Sequence, residues 1–216
     1  ECHEQGLAVA REILSASAPG SPEWNAGRRA EGNHLGNLGA AYYGLGEVRW
    51  AIEYHADALA IDRETGDREG EWADLSNLGL AYAALGEAER AVDNFEAALA
   101  IGRDLGDRRN EGILLGNLGS AYRKLGDAAR AGQCYEQALS IARGLGDRQA
   151  EASHSWNLGL LFEESDPARA ADLMAVRVAY EQGVQHPDAE AHARQVAQVR
   201  ARAAKRRPDT AGHRNR

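Results

Sequence analysis

Four asparagines recur along this chain of 216 residues at one constant interval. Each begins the same short phrase, in which Leu and Gly follow the asparagine and an aromatic ring stands a little further on. A carboxamide has N–H donors and a carbonyl acceptor, which match the C=O and N–H groups of an extended peptide. A fixed period of this kind is typical of stacked repeats, which bind over extended surfaces rather than in single catalytic pockets. The four are Asn37, Asn77, Asn117 and Asn157.

Each repeated unit is predicted to form two amphipathic helices. In the second unit Leu75, Leu78 and Tyr82 recur at helical spacing, and Gly86 stands where a helix commonly ends on a left-handed residue. A second apolar stripe follows, and the first three units then close on the sequence Gly-Asp-Arg. In this turn we expect Gly to end one helix and Asp to be the N-cap of the next.

The pattern of large and small residues resembles the tetratricopeptide repeat. The second unit departs from the family pattern by having Leu where Trp is usual, no closing Pro, and a period of 40 rather than about 34 residues. This variant is similar to the repeats of kinesin light chains, of Pins-type adaptors and of bacterial arrays attached to STAND-type NTPases. The resemblance implies an all-α, right-handed α-solenoid of antiparallel helix pairs with a C-terminal capping helix. It is carried by Leu75, Leu78, Gly79, Tyr82, Ala91 and Phe95.

The repeat boundaries predict one continuous array. Its first segment is similar to the second helix of a repeat, so we expect the natural protein to continue upstream, and its fourth unit is degenerate. The predicted segments are 1–17, the second helix of a preceding repeat; 18–27, a loop; 28–67, 68–107 and 108–147, three repeats; 148–186, the degenerate fourth repeat; 187–207, the capping helix; and 208–216, a flexible basic tail.

The resemblance implies that the first helix of each pair lines a concave groove and places the four asparagines there. Apolar ligand side chains would then contact Leu80, Ile113, Trp156 and Leu160, with Tyr43 also facing inward, while Arg123 and Lys124 would contact an acidic one. Two alternatives stay open. The asparagines could simply be tolerated and bond neighbouring helices or water, and Arg123 and Lys124 could form a solvated pair with Glu163 and Glu164.

Composition argues against several other classes of protein. The formal charge is −8; residues from His192 onward hold eight basic residues and one acid, so 17 basic and 32 acidic residues precede them. Nucleic-acid or membrane partners usually meet a broad basic face, which is absent here. Cys2 and Cys134 are too few for a disulfide framework, so a cytoplasmic setting is expected. The histidines follow no metal-ligand spacing, and His55 occupies the position of Phe95, which predicts a packed ring.

The sequence therefore predicts a non-catalytic interaction module without cofactor or metal. An extended peptide or partner segment would bind in the concave groove through the asparagine ladder, and the partner would be a protein or peptide. The alternative is a sensory or scaffolding array within a larger bacterial signalling protein, such as a STAND-type NTPase, that packs on other domains of its own chain.

Overall fold

A computed structural model describes residues 2–206, and all ten elements in that range are α-helices, with no strand among them. The predicted all-α solenoid of helix pairs is confirmed, and the predicted basic tail at 208–216 lies outside the described residues. The helices are α1 Cys2–Ala16, α2 Pro22–Gly44, α3 Val48–Thr65, α4 Arg68–Leu85, α5 Ala88–Leu105, α6 Arg108–Lys124, α7 Ala128–Leu145, α8 Arg148–Phe162, α9 Pro167–Gly183 and α10 Ala189–Arg206.

The Gly-Asp-Arg turns have the geometry that the sequence predicts. Gly106 has φ 75° and is the left-handed residue that ends α5. The side chain of Asp107 then accepts the backbone N–H of Asn110 at 3.1 Å, which satisfies one of the free donors at the start of α6. The turns at Gly66 and Gly146 repeat this arrangement, with φ of 70° and 67°.

Glycine in the asparagine phrase allows the two helices of a pair to approach closely. A Cβ on Gly79 would lie 2.5 Å from the ring of Phe95, and a Cβ on Gly39 would lie 2.7 Å from the ring of His55. Ala91 is completely buried. The ring of the second helix therefore packs directly on the backbone of the first, because the facing position carries no side chain.

An arginine–glutamate contact joins each helix pair to the next one, and we call it the Arg–Glu joint. Glu71 accepts hydrogen bonds from Arg63 Nε at 2.9 Å and from Arg68 at 2.7 Å. Arg63 belongs to the preceding repeat, and Arg68 is the arginine of the Gly-Asp-Arg turn. This contact was not predicted from the sequence, although its residues recur with the same period. The equivalent joints are Arg11 and Arg28 with Glu31, Arg103 and Arg108 with Glu111, and Arg143 with Glu151.

The chain divides into two compact units after Leu125. The first unit contains α1–α6 and the second contains α7–α10. The division separates the two helices of the third repeat, so the period of the sequence and the boundary of the compact units do not coincide.

The first connection is shorter than predicted, and the boundary of the loop at residue 27 is wrong. Helix α2 already begins at Pro22, because Ser21 is its N-cap and accepts the backbone N–H of Trp24 at 3.1 Å. Proline suits the first turn, where its missing N–H would have no helical partner. The extended start of α2 packs on α1, where Gly27 faces the side chain of Leu14.

In the second unit α10 packs on α9 as the predicted capping helix. Its Val196 and Val199 join a buried cluster with Met174 of α9. Glu181 is 2% exposed and accepts hydrogen bonds from Arg177 and from Nδ1 of His192, both at 2.7 Å. This polar contact fixes α10 beside α9 at a point where the apolar stripe of α10 is narrow.

Candidate functional site

The first helices of the pairs form one surface in the first unit. Helix α2 contacts α4, and α4 contacts α6, in addition to the contacts within each pair. We call the surface formed by α2, α4 and α6 the inner face. Asn37 and Asn77 line the same cavity on this face, and Asn117 lines a second cavity there. Asn157 occupies the equivalent position on α8 of the second unit.

The repeated asparagines do not use their side chains to hold the fold together. Asn37 is exposed and the other three are partly buried, yet no residue within 2–206 forms a hydrogen bond with any of their carboxamides. Asparagines elsewhere behave differently: the side chain of Asn94 donates to Arg90 O at 2.8 Å, and that of Asn110 donates to Asp107 at 2.7 Å. The four carboxamides therefore keep their donors and acceptors available.

The larger cavity of the inner face lies between the first and second repeats and has a volume of about 420 Å³. Its walls carry three carboxamides, and small residues around them keep it open. Two carboxylates complete the lining, so we call it the acidic cavity. Its polar lining residues are Asn33, Asn37, Asp62, Asp74 and Asn77, and its small ones are Gly32, Gly36, Ala40, Gly70 and Ala73.

The carboxylates of the acidic cavity are buried beside each other. Asp62 and Asp74 are both 5% exposed, and Nδ1 of His55 lies 2.8 Å from Asp74 Oδ1. Burial raises the pKa of Asp62 to about 7, with the hydrogen bond and negative charge of Asp74 acting in the same direction. A Cβ on Gly70 would lie 2.6 Å from Asp62 Oδ2, so glycine provides the space that this carboxylate occupies.

This acidic pair was not predicted, although a comparison of the repeats shows where it departs from the repeated pattern. In the next two repeats Gly102 and Ala142 are the equivalents of Asp62, and Leu114 and His154 are those of Asp74. His55 was predicted to be a packed ring, and the structure confirms that it is buried, with 1% of its surface exposed. When the repeats are aligned, the three positions hold His55, Asp62 and Asp74 between the first and second repeats. The equivalent positions between the second and third repeats hold uncharged residues.

A second, smaller cavity of about 80 Å³ lies between α4 and α6. Leu80 and Asn117 line it together with Lys124, which brings three predicted contact residues to one place. The ammonium of Lys124 donates to the carbonyl of Ala83 at 3.0 Å, near the C-terminal end of α4. Cations are favourable at this end of a helix, so part of the role of Lys124 is structural.

The remaining predicted contact residues of the first unit are accessible. Ile113 is 51% exposed and Tyr43 is 38% exposed. Arg123 is exposed as well, and no residue within 2–206 pairs with its guanidinium. Exposed apolar side chains on the helices that also carry the asparagines are suited to contact a ligand.

Trp156 does not lie open to a ligand as predicted. It is 7% exposed, its ring centre lies 4.5 Å from that of His192, and it belongs to the buried cluster beneath α10. The reason is that the capping helix covers this part of α8. Leu160, one turn later, is partly buried against the same cluster.

The predicted alternative pairing of Glu163 and Glu164 with Arg123 and Lys124 is also corrected. Both glutamates engage Arg202 of α10 instead, with Glu164 Oε1 at 3.4 Å from the guanidinium. Arg206 adds a contact to the carboxylate of Glu164 at 3.7 Å. The basic face of the capping helix thus neutralises the acidic end of α8.

Residues 2–206 provide little for other kinds of site. They contain no group of three or more His, Cys, Asp or Glu placed to hold a metal ion. Cys134 is buried on α7. No helix in the described part of the chain is long and apolar enough to cross a bilayer.

Comparison with known proteins identifies the repeat. A sequence profile of the tetratricopeptide repeat matches residues 30–104 and 110–179. No curated protein sequence matches the chain. Among solved structures, BtubC (BKLC) from P. vanneervenii is 20% identical, with 96% of this chain and 92% of that chain covered and a TM-score of 0.68.

Two further structures share the fold. One is a single-residue variant of a putative kinesin light chain from Podospora anserina with nearly identical repeats: 20% identity, 94% and 85% coverage, TM-score 0.56. The other is a STAND protein with a tetratricopeptide repeat sensor from Pyrococcus horikoshii, which is 17% identical with a TM-score of 0.68. Its match covers 93% of this chain and 30% of that chain. At these identities the likeness concerns the fold alone.

Proposed function

This chain belongs to the tetratricopeptide repeat family, and we propose that it binds an extended peptide or partner segment along the inner face through its asparagine ladder. The observation that carries the proposal is that four carboxamides recur at one constant interval while no described residue bonds them. The fold supports an interaction or scaffolding role, and the ladder supplies a chemical reason for the ligand to be a peptide.

Packing does not explain why asparagine recurs. The neighbouring leucines, such as Leu78 and Leu118, are buried, so their identity follows from the core. The carboxamides have no hydrogen-bond partner among the described residues, and their nitrogen and oxygen atoms are not among the buried unpartnered ones, so they stay accessible to a ligand. A peptide backbone offers both the donor and the acceptor that the amide lacks, and it does so whatever the peptide sequence.

The apolar residues near the ladder would contact the side chains of the bound peptide. Leu80 lines the smaller cavity next to Asn117, and Ile113 is exposed one turn before it on α6. This combination resembles other peptide-recognition surfaces, in which main-chain hydrogen bonds supply affinity and side-chain pockets supply specificity.

Selection from a random peptide library tests the proposal, followed by titration of a selected peptide into the protein. We expect Asn77→Ala combined with Asn117→Ala to weaken binding by about tenfold or more, since each lost hydrogen bond contributes about 0.5–1.5 kcal/mol. Asn94→Ala is the matched control, because this asparagine already bonds Arg90 O on α5. Unchanged affinity of the double variant, or a library that yields no binder, would contradict the proposal.

A second candidate is a sensory array that packs on other domains of its own chain. It is suggested by the STAND protein from Pyrococcus horikoshii, which carries a tetratricopeptide repeat sensor within a much longer chain. This candidate predicts that a flanking domain competes with library peptides for the inner face. The two candidates therefore differ in whether the ligand is supplied by the same chain.

A further inference from the structure

The acidic cavity has two buried carboxylates and no lysine or arginine among its described lining residues. The charged groups within 2–206 that act most strongly on Asp62 are Asp74, Asp67 and Glu71, all of them acidic. The other buried carboxylates of this unit have a partner: Glu31 and Glu111 are each paired with two arginines, and Asp74 contacts His55. Asp62 is an exception, since it is only 5% exposed, lines an open cavity and receives no hydrogen bond from a basic side chain of the described residues.

Stability alone does not account for the acidic pair. Two carboxylates taken out of water beside each other are unfavourable, and an apolar replacement of similar volume is often neutral or stabilising. The same chain shows that apolar residues suit this fold, because Phe95 and Leu114 occupy the positions of His55 and Asp74 in the next repeat. A ligand that supplies positive charge would remove the unfavourable repulsion.

The shape and chemistry of the cavity fit a guanidinium group. Its volume of about 420 Å³ is enough for a long side chain with its polar end. A guanidinium has five N–H donors in a planar fork, which suits carboxylate pairs. Asn33, Asn37 and Asn77 line the same space, and a carboxamide oxygen can accept the donors that the carboxylates leave free.

We propose that the acidic cavity receives the side chain of an arginine from the bound peptide, with Asp62 and Asp74 as its acceptors. This inference rests on the proposed function, because the peptide backbone would lie across Asn37 and Asn77. The arginine of the peptide would lie beside Asn37 and Asn77, at the first two positions of the ladder. The excess of acidic residues in the body of the chain would favour the approach of such a basic peptide.

Binding should depend on pH in a definite direction. The groups around Asp62 are these: His55 on the same helix, Asp67 at the N-cap of α4, and Glu71 and Asp74 on α4. The lining residues from α2 are all uncharged. At pH 6 Asp62 mainly holds a proton, which a guanidinium would displace, whereas at pH 8 it is ionised. Affinity for arginine should therefore rise from pH 6 to pH 8, and binding near pH 7 should release protons.

A small probe tests the cavity without depending on a peptide. We would titrate N-acetyl-arginine-N-methylamide into the full chain and follow the amide resonances of Gly32, Gly36 and Gly70 by NMR. The matched probe is N-acetyl-citrulline-N-methylamide, which has the same shape without the charge. We expect only the arginine probe to shift these resonances, and its Kd to fall between pH 6 and pH 8.

Variants identify the acceptors. Asp62→Asn and Asp74→Asn keep the side-chain size and should each weaken binding of the arginine probe by tenfold or more. Asp57→Asn removes one charge from an exposed position of α3 and should leave the Kd unchanged. Thermal unfolding of each variant shows that it is folded. Equal binding of both probes, no binding of either, or full binding by both cavity variants would overturn the inference.

The two proposals can fail separately. If selected peptides bind through Asn77 and Asn117 but show no preference for arginine, the acidic cavity is not part of the peptide site and only the further inference falls. If the arginine probe binds the cavity while the asparagine variants leave every selected peptide unaffected, the ladder proposal falls and the cation site remains.

Discussion

Nδ1 of His55 lies 2.8 Å from Oδ1 of Asp74, and this buried contact links the second helix of the first repeat to the first helix of the second. The next repeat holds Phe95 and Leu114 at the same two positions. The buried contact between the first and second repeats is thus polar, whereas the next one is apolar. Asp62 adds a further carboxylate beside the polar contact.

Replacing Asp62 by Asn should change how stability depends on pH. The folded pKa of about 7 is above that of an unfolded aspartate, so the native state binds the extra proton between about pH 4 and pH 7. The contribution of the Asp62 carboxyl to the free energy of unfolding is therefore present at low pH and is lost as the pH rises through 7. Relative to Asp62→Asn, the wild-type protein should lose about 1–3 kcal/mol of unfolding free energy between pH 5 and pH 8.

Urea unfolding followed by circular dichroism at several pH values measures this difference. Asp57→Asn on the same helix is the control and should parallel the wild-type curve, since Asp57 is exposed. Parallel curves for wild type and Asp62→Asn would show that the carboxylate titrates in the same way in the folded and unfolded chain.

Replacing the buried polar residues between the first and second repeats by apolar ones should stabilise the first unit. The triple variant His55→Phe, Asp62→Ala and Asp74→Leu copies residues found at these positions in later repeats, and Phe fits because Gly39 leaves the same space that Gly79 leaves for Phe95. We expect a gain of about 1–4 kcal/mol in the free energy of unfolding and complete loss of arginine binding.

The single variant Asp74→Leu provides the contrast to the triple variant. It should be destabilised by about 1–3 kcal/mol, because His55 would remain buried without its partner. Both results come from urea titration of purified variants. A triple variant less stable than wild type would indicate that the polar set is itself required for folding.

Breaking one Arg–Glu joint should weaken the contact between two repeats. Glu111 is 6% exposed and carries hydrogen bonds from Arg103 and Arg108, so Glu111→Gln loses the charge in both. Charge-assisted hydrogen bonds are the stronger kind, and we expect a loss of about 1–3 kcal/mol. Glu89→Gln on the exposed side of α5 should be neutral in the same thermal-melt comparison. Identical melting of both variants would show that the joint contributes nothing measurable.

The contact between Glu181 and His192 should control how firmly α10 is held. Burial alone would raise the pKa of Glu181, but hydrogen bonds from His192 and Arg177 outweigh it and lower the pKa. The stability that the contact provides is therefore present above the pKa of an unfolded glutamate and is lost as pH falls through the lower folded value. Glu181→Gln should increase hydrogen exchange of the α10 amides tenfold or more at pH 7.

The control for this prediction is Glu190→Gln, whose side chain is 91% exposed. Exchange in α7 should be unaffected in both variants, since stability in repeat proteins depends mainly on neighbouring elements. Equal protection of α10 in wild type and Glu181→Gln would contradict a role for this contact.

Local chemistry explains what could be predicted from the sequence. Glycine and aspartate at each turn determine where helices end and begin, so Gly106 and Asp107 were interpreted correctly from their positions alone. The asparagine period likewise predicted the repeat and its fold. These features depend on residues that lie close together in the sequence and recur in every unit.

Features that depend on distant helices could not be predicted in this way. Trp156 is buried because α10 returns across α8, and the repeated pattern contains no information about that return. Glu163 and Glu164 form ion pairs with Arg202 for the same reason, since Arg202 also belongs to α10. The acidic cavity could not be predicted for a different reason. Its carboxylates stand at positions where the other repeats hold other residues, and a pattern of repeated residues does not include such positions.

The Arg–Glu joint forms whatever the number of residues that connect its arginine to its glutamate. Arg63 and Glu71 are eight residues apart, whereas Arg11 and Glu31 make the same bond, also at 2.9 Å, across twenty residues. An evolving gene can therefore lengthen a turn, or duplicate a whole unit, and still present a matching interface to the next helix. The array is modular in this sense: each new unit that keeps the arginine near its end and the glutamate near its start reproduces this contact with its neighbour.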